Sequence, residues 1–467
     1  MLARRKFKLA LLIAAILTVF AACGEREPQA PEDPPYIPEV SIVDEYPDPP
    51  ENGGGIELIT HIPSYFVDMT VEPHGRRVSG VMLVDFVNTT AGYLDRVYFW
   101  APTALEVSAA SGDLIHLEFL HTETKLRLYL DEPLPPRELL NIALIFEGQA
   151  THISRSIGAN AHAMWFGNFL PTLAVLDGDG WIVHPDFSVV SNFSVNITTG
   201  YNYHVVSTGS RVSTLSLDTN FVTADAVFVR DFAFAVLSPV YEGFRIHYPE
   251  GSDFITFYHN TYLQTDFYDY EPHPILYAAT LAWEHFEQTI APNPHGSLQI
   301  VEIDLQTGSQ SFPGVIFMDS SYMGSPNAHV SITREIAAQW FTGTVSANPE
   351  EPWLTSSLAS FLAMEFTLHP IQLSYAMRQM HRSNPDDISP NTRGIIFLYA
   401  LRNEIGSGNF NALLQAYYNH YAFSIATTAG FLELANEFEP LDDFFDAWLF
   451  GETLPYLPDI TGDPDRF

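Results

Sequence analysis

Glu335 is the residue of this chain best placed for acid–base chemistry. It lies in the run Arg334-Glu335-Ile336-Ala337-Ala338-Gln339-Trp340-Phe341. Ile332, Ile336 and Trp340 recur at helical spacing, which predicts a helix over 332–341 with that stripe in the core. Arg334 and Ala338 then stand one turn apart on the opposite side. A glutamate in such a helix activates water when imidazoles flank it in the pattern H-E-x-x-H, because two rings one turn apart grip a zinc ion. Here the two imidazole places hold an arginine and an alanine. Alanine has no lone pair to give, and a guanidinium stays protonated and accepts nothing. Without a metal, Glu335 can take a proton only from water of ordinary acidity.

No other constellation replaces this one. His329, His369 and His381 fall in the same half of the chain, but none pairs at ligand spacing with a carboxylate. There is no G-x-S-x-G turn for a serine nucleophile and no phosphate-cradling glycine loop. The one cysteine excludes a disulfide framework and a thiolate metal site. No cofactor is therefore expected.

The elements that must position Glu335 are legible in outline. The 467 residues exceed one ordinary domain, and 46% apolar with 13% aromatic residues can fill sizeable cores. Residues 1–8 are basic and 9–22 form an uncharged apolar run too short for a confident membrane span, as in a signal peptide. The run ends Phe20-Ala21-Ala22-Cys23-Gly24, which resembles a bacterial lipobox with Phe20 where leucine is usual; lipidation of Cys23 after cleavage is the expectation. Residues 24–55, rich in Pro, Glu and Asp, read as an extended tether. Of the 21 Lys and Arg, four lie in the signal segment, so 17 remain against 56 acidic residues, a balance of −39. Such a surface repels nucleic acid and anionic lipid. Short strands with turn signals fill 56–240, among them 81–87, 126–130, 141–147, 193–197 and 204–207. From about 241 helices dominate: 275–290, 332–341, 354–366, 393–404, 410–421, 430–438 and 441–450, with a strand at 298–303. The expected fold class is α+β: an antiparallel β-sandwich or saddle over 56–240, then a mainly helical domain over 241–467.

Several segments, in order, resemble the membrane alanyl aminopeptidases of peptidase family M1, the gluzincins. They are Gly167-Asn168-Phe169-Leu170-Pro171, Asp177-Gly178-Asp179-Gly180-Trp181, residues 291–302, Phe312-Pro313-Gly314-Val315-Ile316-Phe317-Met318-Asp319, Glu335 to Phe341, Glu351 to Ala359, and 393–449. The resemblance covers roughly 60–455 and implies a thermolysin-like fold for the second domain. It also implies a zinc held by two histidines and a glutamate. Those places hold Arg334, Ala338 and Ser356, with Ser357 the alternative for the third. The glutamate that grips a peptide's amine is replaced by Ser311, and the transition-state tyrosine by Asn391. The expectation is a lipid-anchored pseudopeptidase, extracytoplasmic and without zinc, that binds a peptide or protein partner in a cleft between its domains. Its Arg334 is expected to engage Glu335. Two alternatives stay open: a hydrolase with another metal or none, and an interaction lipoprotein that works through its β domain.

Overall fold

The computed structural model describes residues 61–449 and Pro455, apart from 114, 151–153, 178–179, 248–253, 262–273, 306–307, 324, 326 and 382–388. Cys23, the signal segment and the tether lie outside the described residues, as do Gly178 and Asp179. The described residues all fall within one compact unit. Among the described residues no helix is long and apolar enough to cross a membrane.

The N-terminal half is β. An eight-stranded sheet runs, in spatial order, through Ser210–Leu215, Thr219–Val229, Ser191–Gly200, Ser64–Glu72, Arg77–Val87, Leu139–Gln149, Leu105–Gly112 and Ile115–His116. Ser191–Gly200 buries every second side chain, as a strand in a sheet with one wet face must. Ser64–Glu72 pairs parallel with Ser191–Gly200, the single parallel ladder of that sheet, and there Tyr65 stacks on Phe193 at 4.4 Å. Beside a two-stranded ribbon, Val175–Asp177 with Gly180–Ile182, this half holds two four-stranded sheets. One holds His204–Ser207, Phe234–Leu237, Ala163–Phe166 and Ile157–Ala159; the other includes Leu94–Trp100 and Lys125–Leu134. Side chains of all three sheets share one apolar core.

The β pattern does not end near 241 as the sequence suggests. Tyr241–His247 and Phe254–Asn260 open a five-stranded sheet that continues through Leu298–Ile303, Val315–Asp319 and the edge strand Gln310–Phe312. Helix Pro274–Thr289, which lies in the chain between Phe254–Asn260 and Leu298–Ile303, packs on this sheet, and after the sheet come helices Ala328–Ala338, Ser356–Thr367, Pro370–His381, Pro390–Tyr421, Thr428–Asn436 and Asp442–Trp448. The helix Pro390–Tyr421 covers the two expected over 393–404 and 410–421. Gly406, at φ 78°, ψ 157°, is non-helical and breaks it where the sequence places the break.

The two halves share a core. Ala163, Trp165, Val206, Ala235 and Leu237 from the β half meet Val301, Ile303, Phe312, Val315 and Phe317 from the second sheet in one apolar cluster. Polar bonds reinforce the seam: Thr208 donates to the carbonyl of Pro313 (2.8 Å), and the buried Arg230 donates to the carbonyls of Ser188 (2.5 Å) and Ser424 (2.8 Å). Backbone oxygens meet both terminal nitrogens of this guanidinium, while its Nε finds no partner among the described residues. Burial lowers its pKa to about 10, which still leaves it charged at neutral pH.

Candidate functional site

Helix Ala328–Ala338 owes its position to Ile332, Ile336 and Ala337, which are fully buried in the helical core. Past Ala338 the chain widens into a π turn over Gln339–Thr344, where Trp340 and Phe341 remain fully buried. Gln339 is the clamp of this region. Its amide nitrogen donates to the Ser311 hydroxyl and to the Phe312 carbonyl (3.0 Å), and its amide oxygen accepts from the Gly314 N–H (2.9 Å). The Ser311 hydroxyl in turn donates to the backbone carbonyl of Glu335 at 3.0 Å. Ser311 thus ties the edge strand to the helix, and its hydroxyl is committed on both sides.

Arg334 and Glu335 form an ion pair through Nη1 and Oε1. Adjacent helix positions diverge by about 100°, so the pair closes only because the long arginine stem bends across. Arg334 is held at its other end too: Nε donates to the Ser360 hydroxyl (3.2 Å), and Ser360 donates to the carbonyl of Ser356 (2.8 Å). The carboxylate side chain is 3% exposed and the guanidinium side chain 36%. The helix therefore presents the positive partner outward and keeps the negative one beneath it.

Outward is a cavity of about 280 Å³. Ser311, Arg334, Glu335, Ala338 and Ser356 line it from the second half of the chain. Arg155, His184 and Asp186 line it from the β half, and Gln310 from the edge strand. The residues that the sequence places at the helix, at the edge strand and at Ser356 thus share one cavity. Ser357 and Asn391 do not line it: Ser357 is fully buried and donates to the side-chain oxygen of Asn391 at 3.0 Å. Of the two serines left open for the third position, Ser356 is the one that faces the cavity. His329 and His369 are exposed and are not among the lining residues.

The β-half contributors carry no signal in the sequence. Asp186 is held by Asn168, whose side chain donates to it at 2.9 Å while its backbone N–H donates to Asp231 at 2.7 Å. Asn168 sits at φ 50°, a left-handed conformation that asparagine tolerates. Asp231 is buried, and its second oxygen finds no partner among the described residues. Burial raises its pKa to about 7, opposed by the backbone N–H of Asn168 and of Phe232, with the charge of Asp186 adding a smaller push. An acid whose folded pKa is raised holds its proton in the native state after the unfolded chain has released it. Its contribution to stability is therefore full below about pH 4 and is lost as pH rises through about 7. We expect urea stability to fall between pH 5 and 8 by on the order of a few kcal/mol, and Asp231→Asn to flatten that slope. An unchanged slope in the variant would remove Asp231 as its cause.

No family model matches the sequence, and no curated protein matches it. Solved structures do match. The M1 zinc metallopeptidase of Deinococcus radiodurans superposes with a TM-score of 0.68 at 18% identity, over 85% of this chain and 96% of that one. A variant of that enzyme bound to a Tyr-Ser-Ala substrate gives 0.66 at 17%, over the same shares. Zinc is the metal this likeness brings to the question, and the residues present do not fit it. Arg334 and Ala338 offer no lone pair, Ser356 offers only a neutral hydroxyl, and Glu335 is engaged by a guanidinium. Among the described residues no group of three His, Cys, Asp or Glu side chains is placed to hold a metal. What the chain shares with these enzymes is the fold of a two-domain M1 metallopeptidase, a β half followed by a helical half.

Proposed function

We propose that this chain is an M1-like pseudopeptidase: it binds a peptide, free or as a segment of a protein partner, in the cavity before helix Ala328–Ala338 and does not cleave it. The observation that carries the reading is the Arg334–Glu335 pair. The carboxylate in the general-base place is neutralised by a cation that no metal can displace without moving the guanidinium away. The likeness to an enzyme solved with a tripeptide substrate supports a peptide as the ligand class. Attachment to a membrane surface through a lipid on Cys23, facing away from the cytoplasm, belongs to the same proposal. Its acidic surface makes nucleic acid an unsuitable partner.

Zinc content and hydrolysis, measured on the full chain purified in detergent, decide the matter. After mild exchange with zinc, elemental mass spectrometry is expected to find below roughly a tenth of an equivalent. A fluorogenic aminoacyl and peptide library is expected to remain uncleaved while unlabelled peptides from the same library bind. Stoichiometric zinc would overturn the reading, as would hydrolysis abolished by Glu335→Gln.

A further inference from the structure

The cavity is asymmetric in charge, and the asymmetry says which end of a ligand it can hold. On its helix side a carboxylate would ordinarily receive a peptide's amine. The only carboxylate lining that side, Glu335, is 3% exposed and already paired. The hydroxyl of Ser311 is spent on the Glu335 carbonyl and on Gln339. What remains available is Arg334. Its Nε goes to Ser360 and its Nη1 to Glu335, whereas Nη2 has no partner among the described residues in a side chain that is 36% exposed. Arg155 adds a second guanidinium, of which one nitrogen donates to the Ser309 carbonyl at 2.7 Å. The other acid of the lining, Asp186, belongs to the β half and already accepts from Asn168 through one oxygen.

We infer that the cavity recognises a carboxylate, received by the open nitrogen of Arg334 with Arg155 adding positive charge, so that the bound peptide presents an anionic group to the helix that in active enzymes of this fold carries the metal. A guanidinium suits a carboxylate because its planar donors match the two oxygens and it never loses its charge. The volume, near the lower end of the roughly 300–1,000 Å³ of small-ligand sites, suits a chain end or one acidic side chain rather than a long segment. Glu335 competes for the same cation, so it tempers affinity for the ligand. The inference rests on the peptide-binding reading above, deepening it to a ligand chemistry.

Calorimetric titration of the full chain in detergent separates the outcomes. The probes are trialanine, N-acetyl-trialanine, trialanine amide, a doubly blocked Ala-Asp-Ala and N-acetylglycine. We expect trialanine and N-acetyl-trialanine to bind alike and the amide about 10- to 100-fold more weakly. The Arg334→Gln/Glu335→Gln double variant, which leaves no unpaired buried charge, is expected to erase that difference, whereas Glu335→Gln alone strengthens acid binding severalfold. The doubly blocked aspartyl peptide tells the source: binding with the same Arg334 dependence assigns the carboxylate to a side chain, and its absence assigns it to a chain terminus. Equal affinity for acid and amide, or loss on acetylation of the amine, overturns the inference and leaves peptide binding standing. Binding of N-acetylglycine alone, with the same Arg334 dependence, keeps the carboxylate site and overturns the peptide reading. If no probe binds, both fall.

Discussion

Arg334→Ala should destabilise the protein by about 2–4 kcal/mol, and Glu335→Gln in the same chain should restore most of the loss. Removing the guanidinium leaves a carboxylate with a 3% exposed side chain at the cavity wall without the cation that neutralises it. Breaking a buried pair on one side costs about 3–5 kcal/mol, and the 36% exposure of Arg334 lets water soften that figure. Neutralising the carboxylate first removes the reason for the penalty, so the double variant should lie closer to wild type than Arg334→Ala does. Chemical denaturation of the four chains at pH 7.5 measures this. A coupling energy near zero would mean that the guanidinium simply extends into solvent, and the pair would lose its standing as the feature that defines the site.

Why Glu335 and Arg334 are legible in the sequence while the rest of the cavity is not has a physical cause. Their helix declares itself through Ile332, Ile336 and Trp340, all fully buried, and that stripe fixes which side looks outward. Ser311 comes from the resemblance alone, as the residue in the place of the amine-gripping glutamate, beside Phe312 and the buried strand Val315–Asp319. Arg155, His184 and Asp186 come from irregular segments of the β half, where side-chain direction depends on tertiary contacts such as Asn168 to Asp186 and Arg155 to Ser309. Two elements escape for similar reasons. Strand Phe254–Asn260 pairs on both sides and is buried nearly throughout, so it lacks the alternation that marks a half-wet strand. Helix Pro370–His381 buries Leu373, Ser374 and Met377, too thin a stripe to stand out against its polar neighbours.

The segment Gly167-Asn168-Phe169 shows the opposite case, in which a short motif is dictated by its surroundings, and it carries the second large effect. Gly167→Ala should destabilise the chain by about 3 kcal/mol. A Cβ at that position would lie 2.0 Å from the ring of Phe312, and aromatic rings do not yield as the end of a flexible chain does. The ring has nowhere to retreat: Phe312 is 4% exposed in the cluster that joins the two sheets, with Phe317 at 5.2 Å. Nor can the backbone move freely. The Gly167 N–H donates to the Ser156 carbonyl (2.7 Å), and the next residue is fixed by Asp231 and by the Trp100 indole. A smaller partner tests the cause, since Gly167→Ala/Phe312→Leu should recover part of the loss. The effect should also reach the cavity. Phe312 follows Ser311, whose hydroxyl holds the Glu335 carbonyl, so a displaced edge strand shifts the helix that bears Arg334. Ligand affinity in Gly167→Ala should accordingly fall along with stability, and both should return in part with the compensating leucine. A variant that melts with wild type would mean that the close approach of glycine and ring is dispensable, and that the seam between the halves tolerates what its packing forbids.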